Sequence, residues 1–374
     1  MKPKLRFKGF SDEYVLSDLG KYLIQYKKTT NSNNQYPVLT SSRSGIFFQE
    51  DYFNRQVASK DNTGYNIVPR NYFTYRHMSD DTIFSFNINT LCDYGIVSTL
   101  YPVFTTNTEM NSNYLKEYLN NSKRFSEYCL LQKQGGSRTY MYFDKLKKFV
   151  GCFPSIQEQT KVSNFLSLID KKIDLQSKKI EDLKLFKKGL IMQLKKNSNN
   201  WTEYKISKIF KITRGVIIPK NDLLENKTDE YKYPVYSSQT SNNGILGYDK
   251  KFDFDGKYLT WTTDGANAGK VFYRNGKFRC TNVCGVLYND NNSYIDELTA
   301  ELLNYETPKH VSYVGNPKLM NNVMGDIRIF LPDNEESNRV SNILLKINNK
   351  VLLEINQLSK LNELKKGLMQ SMFI

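Results

Sequence analysis

Residues 154–196 read PSIQEQTKVSNFLSLIDKKIDLQSKKIEDLKLFKKGLIMQLKK, and residues 332–374 read PDNEESNRVSNILLKINNKVLLEINQLSKLNELKKGLMQSMFI. The two segments align without a gap, so that Val162-Ser163-Asn164 matches Val340-Ser341-Asn342. A chain that repeats a long segment after about half its length indicates an internal duplication. We therefore expect two similar surfaces, presented to a partner that is itself two-sided.

Both copies begin with the residues that start an α-helix. Each has a proline, then an N-capping residue, then a glutamate three residues after the cap, which is the pattern of a capping box. The six residues are Pro154, Ser155 and Glu158 in the first copy and Pro332, Asp333 and Glu336 in the second. The pattern predicts helices over residues 155–195 and 333–373, each about 60 Å long at 1.5 Å per residue.

Apolar residues recur at heptad spacing along both helices, interrupted by polar residues at matched positions. The predicted seam of the first helix consists of Val162, Leu166, Ile169, Ile173, Gln176, Ile180, Leu183 and Leu190. The seam of the second consists of Val340, Leu344, Ile347, Val351, Glu354, Leu358, Leu361 and Leu368. Lys187 and Lys365 are a further matched pair of polar breaks. These matches favour a coiled coil over two ordinary helices packed in globular cores.

The rest of the sequence repeats more faintly, as in Tyr36-Pro37-Val38 and Tyr233-Pro234-Val235. We predict four parts: a globular domain over residues 1–153, a helix over 154–197, a second globular domain over 198–331 and a helix over 332–374.

Each globular domain combines short β-prone runs with Gly and Asn turns, as in residues 95–100 and 283–288. Helices are expected around residues 113–129 and 295–305. The predicted fold class is α/β (α+β), with two similar mixed domains and a pair of long helices.

Composition indicates a partner with negative charge. The formal net charge is +15, and the chain contains 26 Tyr and 22 Phe. Codon bias in a low-GC genome would raise Lys, Asn, Ile and Tyr together, but it does not explain the excess of basic over acidic residues. The sequence therefore predicts binding to a polyanion.

No apolar run approaches the roughly 18 residues of a membrane span. The five Cys are expected to be buried free thiols in a reducing cytoplasm.

Signals for catalysis are weak. The sequence has no Pro-Pro dipeptide of the kind found in the adenine-binding loop of amino-methyltransferases. The run from Gly265 to Val271 is one residue short of a phosphate-binding loop and lacks its Ser or Thr. The two His, 77 and 310, offer no zinc-hydrolase motif, and no metal site is predicted. We interpret the chain as a binding protein with no bound cofactor.

The order of globular domain, helix, globular domain and equivalent helix resembles the specificity subunit of type I restriction–modification systems. Local features agree, since the chain opens with Pro3-Lys4-Leu5-Arg6-Phe7 and its second half opens with Trp201-Thr202-Glu203-Tyr204. The first helix starts with Pro154-x-x-x-Glu158-Gln159. The second helix departs from the first where Ser337 replaces Gln159 and Asn348 replaces Asp170.

The resemblance implies a mechanism. Each globular domain would be a target-recognition domain that reads one half of a bipartite, asymmetric site on double-stranded DNA. The helices would pack antiparallel, bring Gln176 near Glu354, and set the spacing between half-sites. Two methyltransferase subunits, which bind S-adenosylmethionine, would dock on this scaffold, and two motor-nuclease subunits would join for cleavage. The complex would be cytoplasmic in a bacterium and associated with the nucleoid through DNA.

Side chains that suit base readout are Asn, Gln and Arg on glycine-rich loops. In the first domain we expect base contacts from Ser41, Ser42, Arg43, Gln134, Arg138 and Tyr140, and phosphate contacts from Lys27 and Lys28. In the second domain we expect contacts from Arg214, Ser238, Gln239, Asn242, Asn243 and Lys318, with Lys220 on phosphate. For each of them the alternative is a solvated loop residue without a DNA role.

Two other classes of protein stay open at this point. A two-domain nucleic-acid-modifying enzyme would bind a cofactor or methylate DNA by itself. A structural coiled-coil protein would bind no DNA even with a methyltransferase partner.

Overall fold

The computed structural model describes residues 2–52, 60–133, 137–197 and 200–373. The chain folds as two compact units. Unit 1 contains Met1–Gln176 and Gln357–Ile374, and unit 2 contains Ser177–Asn356. Each unit therefore combines one globular part with about half of both long helices. This division differs from the predicted domain boundaries, because the helix halves contribute side chains to the cores of the globular parts.

The strands of unit 1 are β1 (Val15–Asp18), β2 (Leu23–Gln25), β3 (Leu39–Ser42), β4 (Gly45–Phe48), β5 (Asn66–Pro69), β6 (Phe73–Thr74), β7 (Met78–Ser79), β8 (Asn87–Ile88), β9 (Tyr94–Val97), β10 (Val103–Thr106), β11 (Thr139–Tyr140) and β12 (Val150–Phe153). Its helices are α1 (Gln49–Tyr52), α2 (Ser112–Asn121), α3 (Lys123–Leu131), α4 (Phe143–Lys147) and the first part of α5 (Ile156–Lys196). The helix predicted around residues 113–129 is thus two helices, because Ser122 ends α2 and caps α3.

Unit 2 contains the strands β13 (Thr202–Lys205), β14 (Lys211–Arg214), β15 (Tyr233–Tyr236), β16 (Ile245–Asp249), β17 (Phe254–Thr262), β18 (Val271–Cys280), β19 (Cys284–Tyr288) and β20 (Arg328–Leu331). Its helices are α6 (Ile206–Ile209), α7 (Glu297–Glu306), α8 (Asn321–Asp326) and the first part of α9 (Asn334–Met372). The strand predicted at 283–288 and the helix predicted at 295–305 are confirmed by β19 and α7.

The strand pairing confirms a mixed α/β fold with mainly antiparallel sheets. In unit 1 a four-stranded sheet has the order β2-β10-β6-β8, and two-stranded pairs join β3 to β4, β5 to β9 and β7 to β11. In unit 2 a six-stranded sheet has the order β14-β19-β17-β18-β15-β16, with β15 and β18 parallel.

One strand pair occurs in both units and leads into the long helices. In unit 1 β1 pairs antiparallel with β12, and in unit 2 β13 pairs antiparallel with β20. The second strand of each pair is followed by a proline and then by the long helix. A proline limits the residue before it to extended backbone, so that each strand ends where its helix is to begin. The duplication read in the sequence is therefore also present in the backbone.

The helix starts are where the capping residues predict them. The N–H of Glu158 donates to Ser155 Oγ at 3.4 Å, and the N–H of Glu336 donates to Asp333 Oδ1 at 2.8 Å. Ser155 and Asp333 therefore satisfy an N–H that the helix itself leaves unpaired. The other half of the predicted capping box is wrong for Glu158, because its carboxylate binds Arg6 and Tyr14 instead of the cap.

The long helices run antiparallel within each unit. In unit 1 Lys365 Nζ lies 2.6 Å from Asp170 Oδ1, and Gln176 donates to Gln357 at 3.4 Å. The residue number rises along α5 while it falls along α9, which is the sign of antiparallel helices. In unit 2 the pairs Lys179–Glu354 (2.7 Å) and Lys187–Asn348 (2.9 Å) follow the same order. A direct bond between Gln176 and Glu354 stays a prediction.

Every one of the sixteen side chains of the predicted seam is buried or half-buried. The outer parts of the helices also enter globular cores. Val162 and Leu166 pack in the core of unit 1, and Val340 and Leu344 pack in the core of unit 2. The pair is therefore a coiled coil whose ends serve as core helices, which combines the two alternatives read from the sequence.

The five cysteines have free thiols. Cys129, Cys152, Cys280 and Cys284 are buried as expected, whereas Cys92 is half-buried.

Among the helices that the structure describes, none combines the length and the apolar character needed to span a membrane.

Candidate nucleic-acid interface

A tight β-hairpin presents one of the predicted base-reading residues. β3 and β4 pair from Leu39–Phe48 to Ser42–Gly45, which leaves Arg43 and Ser44 as a two-residue turn. The Ser42 hydroxyl donates to the carbonyl of Gly45 at 3.1 Å and accepts from the N–H of Ser44 at 3.2 Å. Gly45 has a φ of 131°, a backbone conformation that favours glycine. The turn is thus held by its own residues, and Arg43 stands at its tip.

Bonds to two other strands fix this hairpin to the body of unit 1. Ser41 Oγ donates to the carbonyl of Thr74 at 3.1 Å, and Asn87 Nδ2 donates to Ser41 Oγ and to the carbonyl of Ser42, both at 2.8 Å. Ser41 is buried, with 7% of its surface exposed. Its hydroxyl is therefore engaged inside the protein, which argues against the predicted base contact by Ser41. Ser42 likewise serves the turn, so both serines position the hairpin.

Two arginines converge on a pair of neighbouring carboxylates. Arg43 Nη2 lies 2.5 Å from Asp81 Oδ1, and Arg138 Nε donates to Asp80 Oδ1 at 3.0 Å. Arg138 comes just before β11, which pairs with β7, and the two aspartates follow β7 directly. Residues 43, 80–81 and 138, which are far apart in sequence, therefore form one surface cluster.

The carboxylate of Asp81 is itself held in place. It accepts from Ser79 Oγ at 2.8 Å and from the N–H of Ile83 at 3.2 Å. The hydrogen bond from Arg43 is the largest of the effects that lower the pKa of Asp81 to about 2. Thr82, the next residue, has a φ of 68°, a conformation that a β-branched residue rarely adopts. Strained backbone of this kind concentrates at functional sites.

An open cleft of about 320 Å³ lies beside this cluster. It is lined by Thr40, Ser41, Ser42, Arg43, Tyr52, Arg76, Met78, Ser79, Asp80, Ile83, Phe84, Ser85 and Tyr101. Three of the predicted residues thus share the cleft, and Arg138 reaches it through Asp80.

Aromatic rings continue this surface along β11. Tyr140 and Tyr142 are stacked with centroids 5.7 Å apart, and His77 stacks on Tyr142 at 5.0 Å. Tyr142 is 51% exposed. Stacked and exposed rings next to arginines suit contact with nucleic-acid bases and sugars.

Other predicted residues of the first domain are not placed at the cleft. Gln134 lies outside the described residues. Lys27 and Lys28 are exposed, and the carbonyl of Lys28 accepts from the N–H of Ile67 in β5. Their role in binding phosphate stays a prediction.

In unit 2 the predicted polar residues cluster in the loop between β15 and β16. Asn242 and Asn243 are exposed and have φ values of 48° and 53°. Asparagine tolerates this left-handed backbone better than most residues. Gln239 Nε2 donates to the carbonyl of Ile245, and so closes the loop instead of pointing outwards. Ser238 is half-buried at the start of the loop.

A buried arginine packs against this loop. Arg274 is 3% exposed, donates through Nε to Thr260 Oγ1 at 3.1 Å, and lies 3.6 Å above the ring of Tyr236. Within the described residues no carboxylate forms an ion pair with it. Burial accordingly lowers the pKa of Arg274. A Cβ on Gly244 would come within 3.0 Å of Arg274 Nη2, so the loop closes directly over the guanidinium.

The remaining basic residues that were predicted to contact DNA in the second domain lie in three separate places. Arg214 is exposed at the end of β14, whose extension bridges Val216 to Thr281, and the Thr281 hydroxyl donates to Ser237. The end of β14 therefore approaches the start of the loop. Lys220 is exposed in a short 3-10 helix, and Lys318 lies 3.8 Å from Asp264. Among the described residues, no recorded hydrogen bond or ion pair joins these two lysines to the loop.

Sequence reasoning missed Asp80, Asp81, Asn87, Tyr142 and Arg274. Acidic residues give no local signal for DNA binding, because DNA is itself negatively charged. Asn87 and Arg274 act on loops that are distant in sequence, so only the strand register reveals them. The Ser79-Asp80-Asp81 run after a strand was a visible turn signal.

Comparison with known proteins identifies the family of the chain. The family model of the type I restriction modification DNA specificity domain matches residues 198–366. A Mycoplasma pneumoniae protein described as a putative type I specificity subunit N-terminus is 43% identical over 142 residues, which cover 38% of this chain and 74% of that protein. The chain belongs to the type I restriction–modification specificity family. Its function is accordingly recognition of specific DNA sequence.

Longer relatives match over a smaller share of their length. The specificity subunit of the M. pneumoniae type I restriction enzyme MpnII is 41% identical over 142 residues, or 38% of this chain and 42% of that protein. The alignment thus spans less than half of that specificity subunit.

Two solved structures share the fold along nearly the whole chain. The S subunit of a type I restriction-modification system from M. genitalium has a TM-score of 0.65 at 15% identity and covers 100% of this chain and 99% of that one. A chain from a study of assembly and conformational transition of the type I R-M system has a TM-score of 0.52 at 13% identity and covers 96% and 97%. The two mixed α/β domains and the long helices are therefore a family fold.

Proposed function

We propose that this chain directs a type I modification complex to a bipartite DNA site, with the globular part of each unit reading one half-site. The observation that carries the proposal is the duplication, seen in the strand pair that precedes each long helix and in the matched lysine contacts of the helices. Duplicated protein surfaces suit a partner with two similar binding sites, and two half-sites on one DNA duplex meet that description.

The helix pair would set the distance between the half-sites. Its length is defined by buried seams and by polar contacts that allow one register only. Lys365 binds Asp170 and Glu117 in unit 1, and Lys187 binds Asn348 and Glu301 in unit 2. In both cases the lysine joins the other long helix to a helix of the globular part. A slip of one residue would break these contacts, which supports the helices as a spacer of constant length.

Methyltransferase subunits would dock on apolar positions that the helices leave exposed. Leu175 is 68% exposed and the equivalent Leu353 is 58% exposed. Phe186 and the equivalent Leu364 are 61% and 54% exposed. Unit 1 carries Leu175 and Leu364, and unit 2 carries Leu353 and Phe186. Exposed apolar groups at matched positions suit two copies of one partner. The partner would bring S-adenosylmethionine and the chemistry, and nuclease subunits would join the same complex.

Genome-wide mapping of methylated adenine tests the proposal. A bacterial host without adenine methylation would express the methyltransferase subunit with this chain, the methyltransferase alone, or this chain alone. We expect methylation only in the first case, at a bipartite and asymmetric motif. Methylation by this chain alone would instead indicate an enzyme, and an unchanged pattern without the chain would contradict a specificity role.

A further inference from the structure

The cluster of residues 43, 80–81 and 138 suits a more specific role than the general attraction of a basic surface for DNA. We infer that Arg43 reads a guanine in the half-site of unit 1, and that Asp81 is the positioning residue that aims its guanidinium. This inference rests on the proposed function, since it names the base that one unit of the DNA-reading subunit recognises.

The position of Arg43 fits the major groove. A two-stranded β-ribbon is narrow enough to enter that groove, whereas the minor groove is too narrow for it. Arg43 stands at the tip of such a ribbon, and its side chain is 60% exposed. Asn87 ties the ribbon to the body of unit 1 through the hydroxyl of Ser41 and the carbonyl of Ser42. An arginine on an anchored ribbon keeps its position relative to the rest of the protein.

The chemistry of Arg43 selects guanine. A guanidinium carries five N–H donors and no acceptor. Asp81 occupies Nη2 of Arg43, so donors remain for two further bonds in the plane of the group. The major-groove edge of guanine presents two acceptors, O6 and N7, whereas adenine presents one acceptor and one donor. Arg43 therefore complements guanine and leaves the adenine amino group unpaired.

A phosphate contact is less consistent with the same geometry. Phosphate contacts depend on net positive charge, but the charges of Arg43 and Arg138 are balanced by Asp81 and Asp80. The cluster as a whole adds almost nothing to attraction for the DNA backbone. Asp81 is also fixed by Ser79 Oγ and the N–H of Ile83, so it restricts the direction of the guanidinium. Restricted direction benefits base readout and brings little to phosphate binding.

An ordinary surface ion pair in the same unit provides the comparison. Arg70 Nε lies 2.9 Å from Asp93, and the two side chains are 44% and 84% exposed. Exposed pairs of this kind generally contribute little. Arg70 is at the end of β5, and it is not among the residues that line the cleft. Arg70→Ala therefore removes an arginine–aspartate pair of the same type without touching the proposed reading group.

The test uses the whole chain with its methyltransferase partner and duplex oligonucleotides that carry the mapped motif. Each guanine of the motif is replaced in turn by 7-deazaguanine, which pairs normally but lacks the N7 acceptor. The wild-type complex should lose affinity at one guanine by at most roughly 5- to 150-fold, because a whole bidentate contact is worth about 1–3 kcal/mol and the replacement removes one of its two acceptors. With Arg43→Ala the replacement at that guanine should have no further effect, while the other guanines keep theirs. Arg70→Ala should behave like the wild type.

Asp81→Asn separates positioning from charge. The variant should relax the requirement at the same guanine as Arg43→Ala, and the two changes together should cost no more than one of them. Its affinity for DNA without the motif should stay the same or rise, because a negative charge has been removed. Thermal unfolding like that of the wild type shows that unit 1 of both variants is folded, and recognition of the half-site of unit 2 should be unchanged.

Several results would overturn the inference while the proposed function stands. They are a unit 1 half-site without guanine, an Arg43→Ala complex that keeps every 7-deazaguanine effect, or equal loss of affinity for all sequences with a shallower salt dependence. A complex that modifies no bipartite motif in the presence of this chain would overturn the proposed function, and the inference with it.

Discussion

At the first turn of α5, a single carboxylate joins the N-terminal segment to the long helix. Glu158 is completely buried and accepts two bonds from Arg6, at 2.8 and 2.7 Å, and one from the Tyr14 hydroxyl at 3.1 Å. The bond to Glu158 raises the pKa of Arg6, and burial raises that of Tyr14. The equivalent Glu336 in α9 is only half-buried. The equivalent residues Glu158 and Glu336 thus differ in their contribution to the structure.

Glu158→Gln should lower the stability of unit 1, because it leaves the Arg6 guanidinium without a charge partner in a mostly buried site. Breaking a buried ion pair typically costs about 3–5 kcal/mol, and we expect about 2–4 kcal/mol here because Arg6 keeps some solvent contact. Thermal unfolding of the full chain measures the effect. Glu336→Gln is the matched control and should change stability by less than about 1 kcal/mol. Equal effects of the two changes would contradict this role of Glu158.

Glu297 is a second residue whose environment predicts a measurable effect. Burial, together with the neighbouring Glu301, raises its pKa to about 7 despite the opposing effect of Lys187. Its carboxylate accepts from Asn348, and burial also lowers the pKa of nearby Lys270. Because the folded-state pKa exceeds the ordinary 4.5, folding favours the protonated form. The cost of ionised Glu297 is therefore present above about pH 7 and disappears as the pH falls towards 4.5.

Glu297→Gln should accordingly stabilise unit 2 at alkaline pH. Gln keeps an acceptor for Asn348 but has no charge to desolvate. We expect a gain of roughly 1–3 kcal/mol near pH 8.5, since each unit of pKa shift corresponds to about 1.4 kcal/mol. The gain should shrink to about zero near pH 5. Urea unfolding of the wild type and the variant across this range gives the difference. A gain that is independent of pH would indicate a packing effect instead.

At the scale of elements, equivalent positions of the two long helices make similar contacts even where the residue types differ. Position 159 in α5 and position 337 in α9 hold different residues but both bind the start of a globular helix. Gln159 Oε1 accepts from the N–H of Asn111, the cap of α2, and the Ser337 hydroxyl donates to Asp296, the cap of α7. The change from Gln to Ser thus retains a contact with the helix cap but reverses its direction, because Gln159 accepts from a backbone N–H and Ser337 donates to a carboxylate.

The division into units decides where the helix pair can be lengthened. An insertion near Lys195 would fall inside unit 2, where Ile191 is buried in the core and Lys195 stacks on Tyr305 at 3.6 Å. The helices pass from one unit to the other at Gln176–Ser177 and at Asn356–Gln357. Seven residues inserted after Gln176 and seven after Asn356 would keep both seams and their pairing.

This paired insertion should lengthen the gap between the half-sites and leave their bases unchanged. Seven helical residues add about 10 Å, which corresponds to about three base pairs of DNA. The measurement is the motif found by methylation mapping. An insertion in α5 alone is the control, and it should abolish specific methylation because it shifts one seam against the other. Altered half-site bases with an unchanged gap would show that the helices are not the spacer.

At the scale of the whole molecule, the charge of +15 predicts strong dependence on salt. Each phosphate contact contributes about −0.9 to the slope of log affinity against log salt concentration, so about six contacts give a slope near −5. We expect such a slope or a steeper one for the chain with its methyltransferase. Lys220→Gln should reduce it by about 1 without changing the motif. Lys211→Gln is the control, because this lysine is already paired with Asp290 at 2.7 Å. An affinity for DNA that does not change with salt concentration would contradict DNA binding through the basic residues of this chain.

Much of the architecture follows from the sequence alone. The two long helices and their caps at Ser155 and Asp333 agree with the structure to within one or two residues. Helix caps and heptad spacing act between residues that are three to seven positions apart, so the pattern is readable along the chain. The duplication is readable for the same reason, because it compares the sequence only with itself.

The proposed recognition surface depended on tertiary structure. Ser41 and Arg43 are two residues apart and were predicted to act alike, yet the hairpin buries the first and exposes the second at its tip. Asp81 is 38 positions from Arg43, and Arg138 is 58 positions from Asp80. Such partners are chosen by which strands pair and in which register. That register results from the burial of many apolar side chains together, and no local pattern in the sequence specifies it.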